Sequence, residues 1–204
     1  MVLGMVTTMT TGARSRGRPR DPTVDRAIFE SARSVLAQRG FTGTSMDEIA
    51  SRAGIGKDTL YRRYRSKEDV VLRLLKELSE ENVPMPALED PRYALFVFLQ
   101  DIVRVNERTD LGAIIAGIVG ESARNHRLAE EFRQFWAGRR RILARLVRKV
   151  LTAAATEDEV EVIMDHILGP IYYRLLLTGA PLDDEYLWGL IVTIPWTPTE
   201  EQIK

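Results

Sequence analysis

The chain has 204 residues, no cysteine, and 29 Lys and Arg against 29 Asp and Glu. That length suits one medium domain or two small ones. The lack of cysteine excludes disulfides and thiolate sites, and no apolar run is long enough to span a bilayer. The neutral total hides an asymmetry. Residues 1–76 carry 15 Lys and Arg against 8 Asp and Glu, and residues 77–204 carry 14 against 21, which is the pattern of a nucleic-acid module joined to a different unit.

Residues 1–13 are small and polar without periodicity, which predicts disorder. The opening MVLGMVTTMT has no charged n-region and no proper apolar h-region, so no secretory signal is expected and a cytoplasmic protein fits. The run Arg14-Ser15-Arg16-Gly17-Arg18-Pro19-Arg20 alternates arginine with small residues and a proline, so it is extended. It resembles an AT-hook core, which implies Arg16, Arg18 and Arg20 lying in a narrow minor groove, where negative potential attracts inserted arginine. A solubilising tail is the other reading of this flexible basic arm, residues 1–20.

A first helix is expected from Asp21-Pro22-Thr23, since proline is tolerated in the first turn. Val24, Ile28, Ala32, Val35 and Leu36 give it one apolar stripe, and Gly40 ends it. The stretch Thr44 to Glu68 then reads as two short helices joined by a tight turn. Ser45 with Glu48 three residues later predicts a capping box, and Met46, Ile49, Ala50 and Ala53 form the apolar face. Gly54 supplies a positive-φ turn, and Ile55 fills the angle between the helices. The second helix, from about Gly56 to Tyr64, buries Leu60 and turns Lys57, Thr59, Tyr61, Arg62 and Arg63 outward. Asp58 is its only acid, and Arg65 and Lys67 follow. This is the layout of a helix-turn-helix that reads DNA, although amphipathic helix pairs also produce such patterns by chance. Ser66 caps a fourth helix with Glu68 and Asp69 in its first turn, and Val71, Leu74, Leu75 and Leu78 face inward.

From Ala27 to about Leu75 the sequence resembles the DNA-binding domain of the TetR (tetracycline repressor) family. The matching pieces are Gly40-Phe41, Thr44-Ser45, Ile49-Ala50, Ala53-Gly54-Ile55, Thr59-Leu60-Tyr61 and Ser66-Lys67-Glu68. Four residues depart from the family pattern. Gly56 replaces a Ser or Thr cap, Asp58 a Gly or Pro, Arg63 a Tyr or His, and Tyr64 a Phe. Position on the helices assigns Lys57, Thr59, Tyr61 and Arg62 to base edges in the major groove, and Ser45, Arg63 and Lys67 to phosphates.

Asn82-Val83-Pro84-Met85-Pro86 marks the domain junction, separating a helix-turn-helix domain at 21–81 from a second helical domain at 87–204. The pattern beyond it predicts helices at about 91–106, 110–124, 127–153, 157–178 and 183–194, with an irregular tail from Pro195. Pro170 lies inside the fourth of these and is expected to kink it. The resemblance implies that this half holds a ligand pocket and that its last two helices pair with their copies in a homodimer. Val160, Ile163, Met164, Ile167, Leu168, Ile171 and Leu175, with Tyr172, Leu176, Leu187, Leu190 and Ile191, offer an apolar face for that pairing or for an ordinary core. The candidate pocket is Phe96, Ile115, Phe132, Trp136 and Tyr172, which suits a lipophilic small molecule; each of these also suits a plain core. Gly112, Gly117 and Gly120 weaken one helix, which points either to close packing or to a helix that shifts and moves helix four. The cluster Arg139, Arg140, Arg141 is a solvated face, paired with Glu130 and Glu131, or an anion site.

His126 and His166 are the only histidines and stand 40 residues apart, so no metal site is expected. No phosphate loop or nucleophile triad is present, and no cofactor or catalysis is expected. The expectation is an all-α, homodimeric, ligand-responsive repressor that binds a palindromic operator in double-stranded DNA, without membrane contact. The alternative is an architectural DNA-binding protein without a small-molecule effector.

Overall fold

The computed structural model describes residues 21–151 and 155–195, and every regular element among them is helical. The basic arm, residues 152–154 and the tail from 196 lie outside the described residues. Helix α1 (Pro22–Gly43) starts where expected, with the Asp21 carboxylate accepting from the Thr23 backbone N–H at 2.9 Å. Its stripe buries Ile28, Ala32, Val35 and Leu36 completely or nearly so, while Val24 is only half-buried. Gly40 breaks the helix with φ +64°, a conformation open to glycine without a Cβ penalty. A short turn follows, closed by the Thr44 hydroxyl donating to the Gly40 carbonyl at 2.7 Å.

Helices α2 (Met46–Arg52) and α3 (Lys57–Arg63) form the expected pair, joined through Gly54 at φ +66°. Only half of the expected capping box forms. Ser45 Oγ accepts from the Glu48 N–H at 3.2 Å, but the Glu48 carboxylate turns to Arg39 at 3.0 Å and Arg52 at 2.9 Å. Two guanidinium partners outcompete a backbone N–H, and they tie α2 to the end of α1. Helix α4 (Lys67–Asn82) is capped by Ser66 and buries Val70, Val71, Leu74 and Leu75.

Beyond the junction come α5 (Pro91–Arg108), α6 (Leu111–Ser122), α7 (His126–Val150), α8 (Glu157–Tyr173) and α9 (Asp184–Val192). Helix α8 carries a complete capping box between Thr156 and Glu159. It runs through Pro170, and the change of helical type comes four residues later. A π-helical turn (Arg174–Thr178) ends with the Gly179 N–H on the Arg174 carbonyl at 2.9 Å and Gly179 at φ +63°.

Helix α6 lies against α1 as well as α5 and α7. Arg33 pairs with Asp110, the Thr42 hydroxyl donates to Glu121 at 3.3 Å, and Gly117 approaches the Phe41 Cβ, with 3.7 Å left for an added methyl. Gly112 permits the tight α5–α6 turn, because a Cβ there would stand 2.4 Å from the Asn106 carbonyl oxygen. Gly112→Ala is therefore expected to destabilise the protein by about 1–3 kcal/mol through forced backbone movement. Thermal unfolding checks this, and an unchanged midpoint would show that the turn opens freely. Around Gly120 a Cβ would meet nothing within 4 Å, so packing within the protomer does not explain that glycine.

Candidate nucleic-acid interface and effector cavity

Helix α3 buries one residue completely, Leu60, and presents Lys57, Asp58, Tyr61 and Arg62. Lys57, Tyr61 and Arg62 are exposed and Thr59 is partly so. Lys57 Nζ donates to the Asp47 carboxylate of α2 at 2.6 Å, which raises the ammonium above its ordinary pKa. The pair is solvent-exposed on both sides, so it contributes little and is easily exchanged for a nucleic-acid contact. Arg62 donates to the Thr59 hydroxyl at 3.3 Å. Gly56 precedes α3 without a side-chain cap, which leaves the first backbone N–H groups available to an anion.

The far end of α3 is clamped to α1. The Arg63 guanidinium meets the Asp25 carboxylate at 2.9 Å, and the Tyr64 hydroxyl donates to the same oxygen at 2.9 Å. Tyr64 packs edge-on to Phe29 with ring centres 5.8 Å apart. Burial, helped by the Asp25 bond, pushes the Tyr64 hydroxyl well above the usual phenol range. Arg63, expected on a phosphate, is thus turned toward the domain body. Lys67 is placed similarly, donating to the Phe41 carbonyl at 3.0 Å and lying 4.7 Å from the centre of the Phe41 ring. Ser45 is exposed and uses its oxygen as an acceptor in the cap, so its O–H remains able to donate. The arm residues Arg16, Arg18 and Arg20 lie outside the described residues.

In the second half, a cavity of about 30 Å³ lies among α4 to α8. It opens beside an apolar groove of about 340 Å³ with which it shares Ile115, Trp136, Arg140, Leu168 and Tyr172. Three of the five expected pocket residues, Ile115, Trp136 and Tyr172, are brought together there. The other two are not. Phe96 packs between Tyr93 and Trp188, at 6.0 and 5.3 Å between ring centres, on the side of α9. Phe132 is buried against Phe135 and Trp136, at 6.1 and 5.9 Å, one layer behind the cavity wall. Burial pushes the Tyr172 hydroxyl up to about 12, against the Asn106 amide and Arg139, which act the other way.

The arginine cluster does not share a face. Arg141 is exposed, Arg140 pairs with Glu161 and with Asp165 at 2.7 Å, and Arg139 turns inward. Consecutive helical residues are offset by about 100°. Glu130 and Glu131, expected as partners, bind Arg133 and Arg127 instead, because i,i+3 and i,i+4 neighbours on the same helix are nearer.

The family description “Bacterial regulatory proteins, tetR family” matches residues 28–74, and “Tetracyclin repressor-like, C-terminal domain” matches residues 85–194. The second match alone covers more than half of the chain. The chain belongs to the TetR family. It is a DNA-binding transcriptional regulator of the helix-turn-helix type. It is similar to the uncharacterized HTH-type transcriptional regulator YdeS of Bacillus subtilis (strain 168), at 30% identity over 180 residues, 87% of this chain and 90% of that one. Among solved structures it is similar to the TetR family transcription regulator SCO0332, with a TM-score of 0.69, 26% identity, and coverage of 83% of this chain and 95% of that one. It is also similar to the flavonoid-responsive regulator FrrA, with a TM-score of 0.61, 25% identity, and coverage of 84% and 93%. Among the described residues, no helix is long and apolar enough to cross a membrane, and no group of three or more His, Cys, Asp or Glu is placed to hold a metal.

Within this TetR-family chain, sequence reading missed three elements. Asp25 is the partly buried anchor of α3, and only its distance in sequence concealed it. Asn106 reaches the cavity from α5, where its spacing gave no signal. Arg65, Arg73 and Arg127 border a polar recess of about 350 Å³ beside α3, assembled from α3, α4 and α7 and invisible as a run.

Proposed function

We propose that the protein is a cytoplasmic homodimeric repressor that releases its operator when a lipophilic effector enters the α4–α8 cavity. The observation that carries this reading is the double duty of α6. Leu111 and Ile115 line the cavity, while Gly117 and Glu121 on the same helix, and Asp110 at its N-cap, meet α1 of the DNA-binding unit. A ligand that moves α6 therefore moves α1, and with it the clamped recognition helix. The expected relay to helix four is supplemented by this more direct contact. The ligand-responsive behaviour stated for FrrA by its name supports the same reading.

The residue roles follow. Residues 21–81 form the DNA-binding domain, 87–204 the effector and dimer domain, and 1–20 an arm whose Arg16, Arg18 and Arg20 enter the minor groove. Lys57, Thr59, Tyr61 and Arg62 read base edges. Ser45, Lys67 and Arg63 hold phosphates; the three N–H groups of Lys67 allow it to keep the Phe41 carbonyl, and the five of Arg63 allow it to keep Asp25, while each takes a phosphate. Dimerisation is supported by a face that the protomer leaves open. Val162, Tyr173, Leu177 and Val192 are exposed, and a Cβ at Gly169 or Gly189 meets nothing within 4 Å. His166 and Thr193, 3.0 Å apart, join α8 to α9 along that face. Two recognition helices about 34 Å apart then read half-sites one turn apart.

The architectural alternative draws on the small enclosed volume, about 30 Å³, which is water-sized. Selection of bound DNA fragments at low and moderate salt separates the two. A short pseudo-palindrome with A·T-rich flanks is expected, and broad binding that collapses with salt would favour the architectural alternative. On the selected operator, Arg62→Ala is expected to lower discrimination at one position per half-site by about 1–3 kcal/mol while binding to unrelated DNA stays the same. Equal weakening on every sequence would place Arg62 on a phosphate instead.

A further inference from the structure

Arg139 has an unusual environment for a cation. Its Nη2 donates to the Val83 carbonyl at 3.1 Å, and its guanidinium carbon stands 5.8 Å from the Phe98 ring centre. Its Nη1 is buried without a hydrogen-bond partner, and among the described residues no carboxylate forms an ion pair with it. Glu80 is near enough to act through its field but is exposed and paired with Lys76 at 3.4 Å. Arg140, one residue on, has two carboxylates, so the shortage is local. Arginine does not escape such a site by deprotonation, although burial pulls Arg139 in that direction. A part-buried cation whose inner nitrogen has neither counter-charge nor hydrogen-bond partner is costly, and here it faces a cavity.

We propose that the cavity binds an amphiphilic monocarboxylate, with Arg139 supplying the counter-charge and the neighbouring groove taking the apolar body. This rests on the effector reading above. Asn106, whose amide also donates to the Ile102 carbonyl at 2.7 Å, lines the same cavity, and Tyr172 stays neutral at physiological pH, so its hydroxyl is a donor rather than a competing anion. Ile115, Trp136 and Leu168 line both the cavity and the groove and give the apolar body its contacts. The carboxylate replaces the missing partner of Nη1 with a charge-assisted hydrogen bond. Because Arg139 also holds Val83, at the end of α4, the anion acts on the segment that leaves the DNA-binding domain.

Calorimetric titration of the full-length protein at pH 7.5 tests this, with two matched pairs of probes: decanoate against decan-1-ol, and 2-naphthoate against 2-naphthalenemethanol. At least one carboxylate is expected to bind about tenfold or more tighter than its alcohol. Arg139→Met is expected to weaken that carboxylate by about 30-fold, leave the alcohol unchanged, and not lower the unfolding temperature of the free protein. Arg139→Lys is expected to keep part of the preference. No carboxylate preference in either pair would overturn the proposal, as would equal carboxylate binding by Arg139→Met. A less stable Arg139→Met that keeps the preference would make Arg139 a structural tie to Val83 and overturn it too. Operator release is measured separately. Carboxylate binding without release counts against the repressor reading and leaves the anion site standing, whereas release by alcohols alone does the reverse.

Discussion

Leu60→Ala is expected to abolish operator binding while the second half of the chain stays folded. Helix α3 has seven residues and no side-chain cap, and Leu60, fully buried, is its only buried residue. A helix this short has no stability of its own in water and exists only where packing holds it. Truncating a buried leucine costs about 2–5 kcal/mol, which is a large share of what a small helical domain has to spare. The Asp25 clamp on Arg63 and Tyr64 secures only the C-terminal end, so the N-terminal turn, with Lys57 and Thr59, loses its position. Fluorescence anisotropy on the selected operator checks the result, with circular dichroism to follow the helices of the second half. Binding within about tenfold of the parent protein would show that the clamp alone holds the recognition helix.

The second large effect concerns the open face of α8 and α9. For the proposed homodimer, the double substitution Val162→Glu and Val192→Glu is expected to yield a monomer and to weaken operator binding by more than about 100-fold. Both residues are exposed in the protomer, at 66% and 50%, so the fold of a single chain should tolerate the change. A two-fold interface repeats every substitution, so two glutamates per chain place four carboxylates in one buried patch. Unpaired buried charge opposes association strongly. A monomer then presents one recognition helix, and the summed free energy of two half-sites is lost. Sedimentation velocity gives the decisive reading: a protein that remains dimeric at micromolar concentration would place its interface elsewhere.

The apolar stripe of α8 shows where sequence reading reaches its limit. Val160, Met164, Ile167 and Ile171 have helical spacing and were candidates for either core or interface. In the fold they are buried within the protomer, as are Leu187 and Ile191. Ile163, Leu168, Leu175 and Leu190 of the same face stay partly open, and Val162, Tyr173, Leu177 and Val192, outside that face, are exposed. Periodicity reports that a face is apolar but is silent about which neighbour covers it. The pocket behaves the same way. Ile115, Trp136 and Tyr172 meet, but Phe96 faces α9 and Phe132 sits behind the wall, because aromatic identity carries no information about tertiary direction.

Sequence alone determined the helical class, the start of every described helix to within two residues, the turn at Gly54, the break at Gly40 and the family of the first domain. All of these are local: caps, glycine φ and 3.6-residue spacing act over a few positions and need no partner from elsewhere in the chain. The tertiary structure decided the rest. It set Arg63 and Tyr64 on Asp25, a carboxylate 38 residues from Arg63, placed α6 against α1, and sent three consecutive arginines to solvent, to a carboxylate pair and into a cavity. These outcomes depend on which helix faces which. That follows from the simultaneous packing of all the apolar faces, a global condition that no single segment encodes.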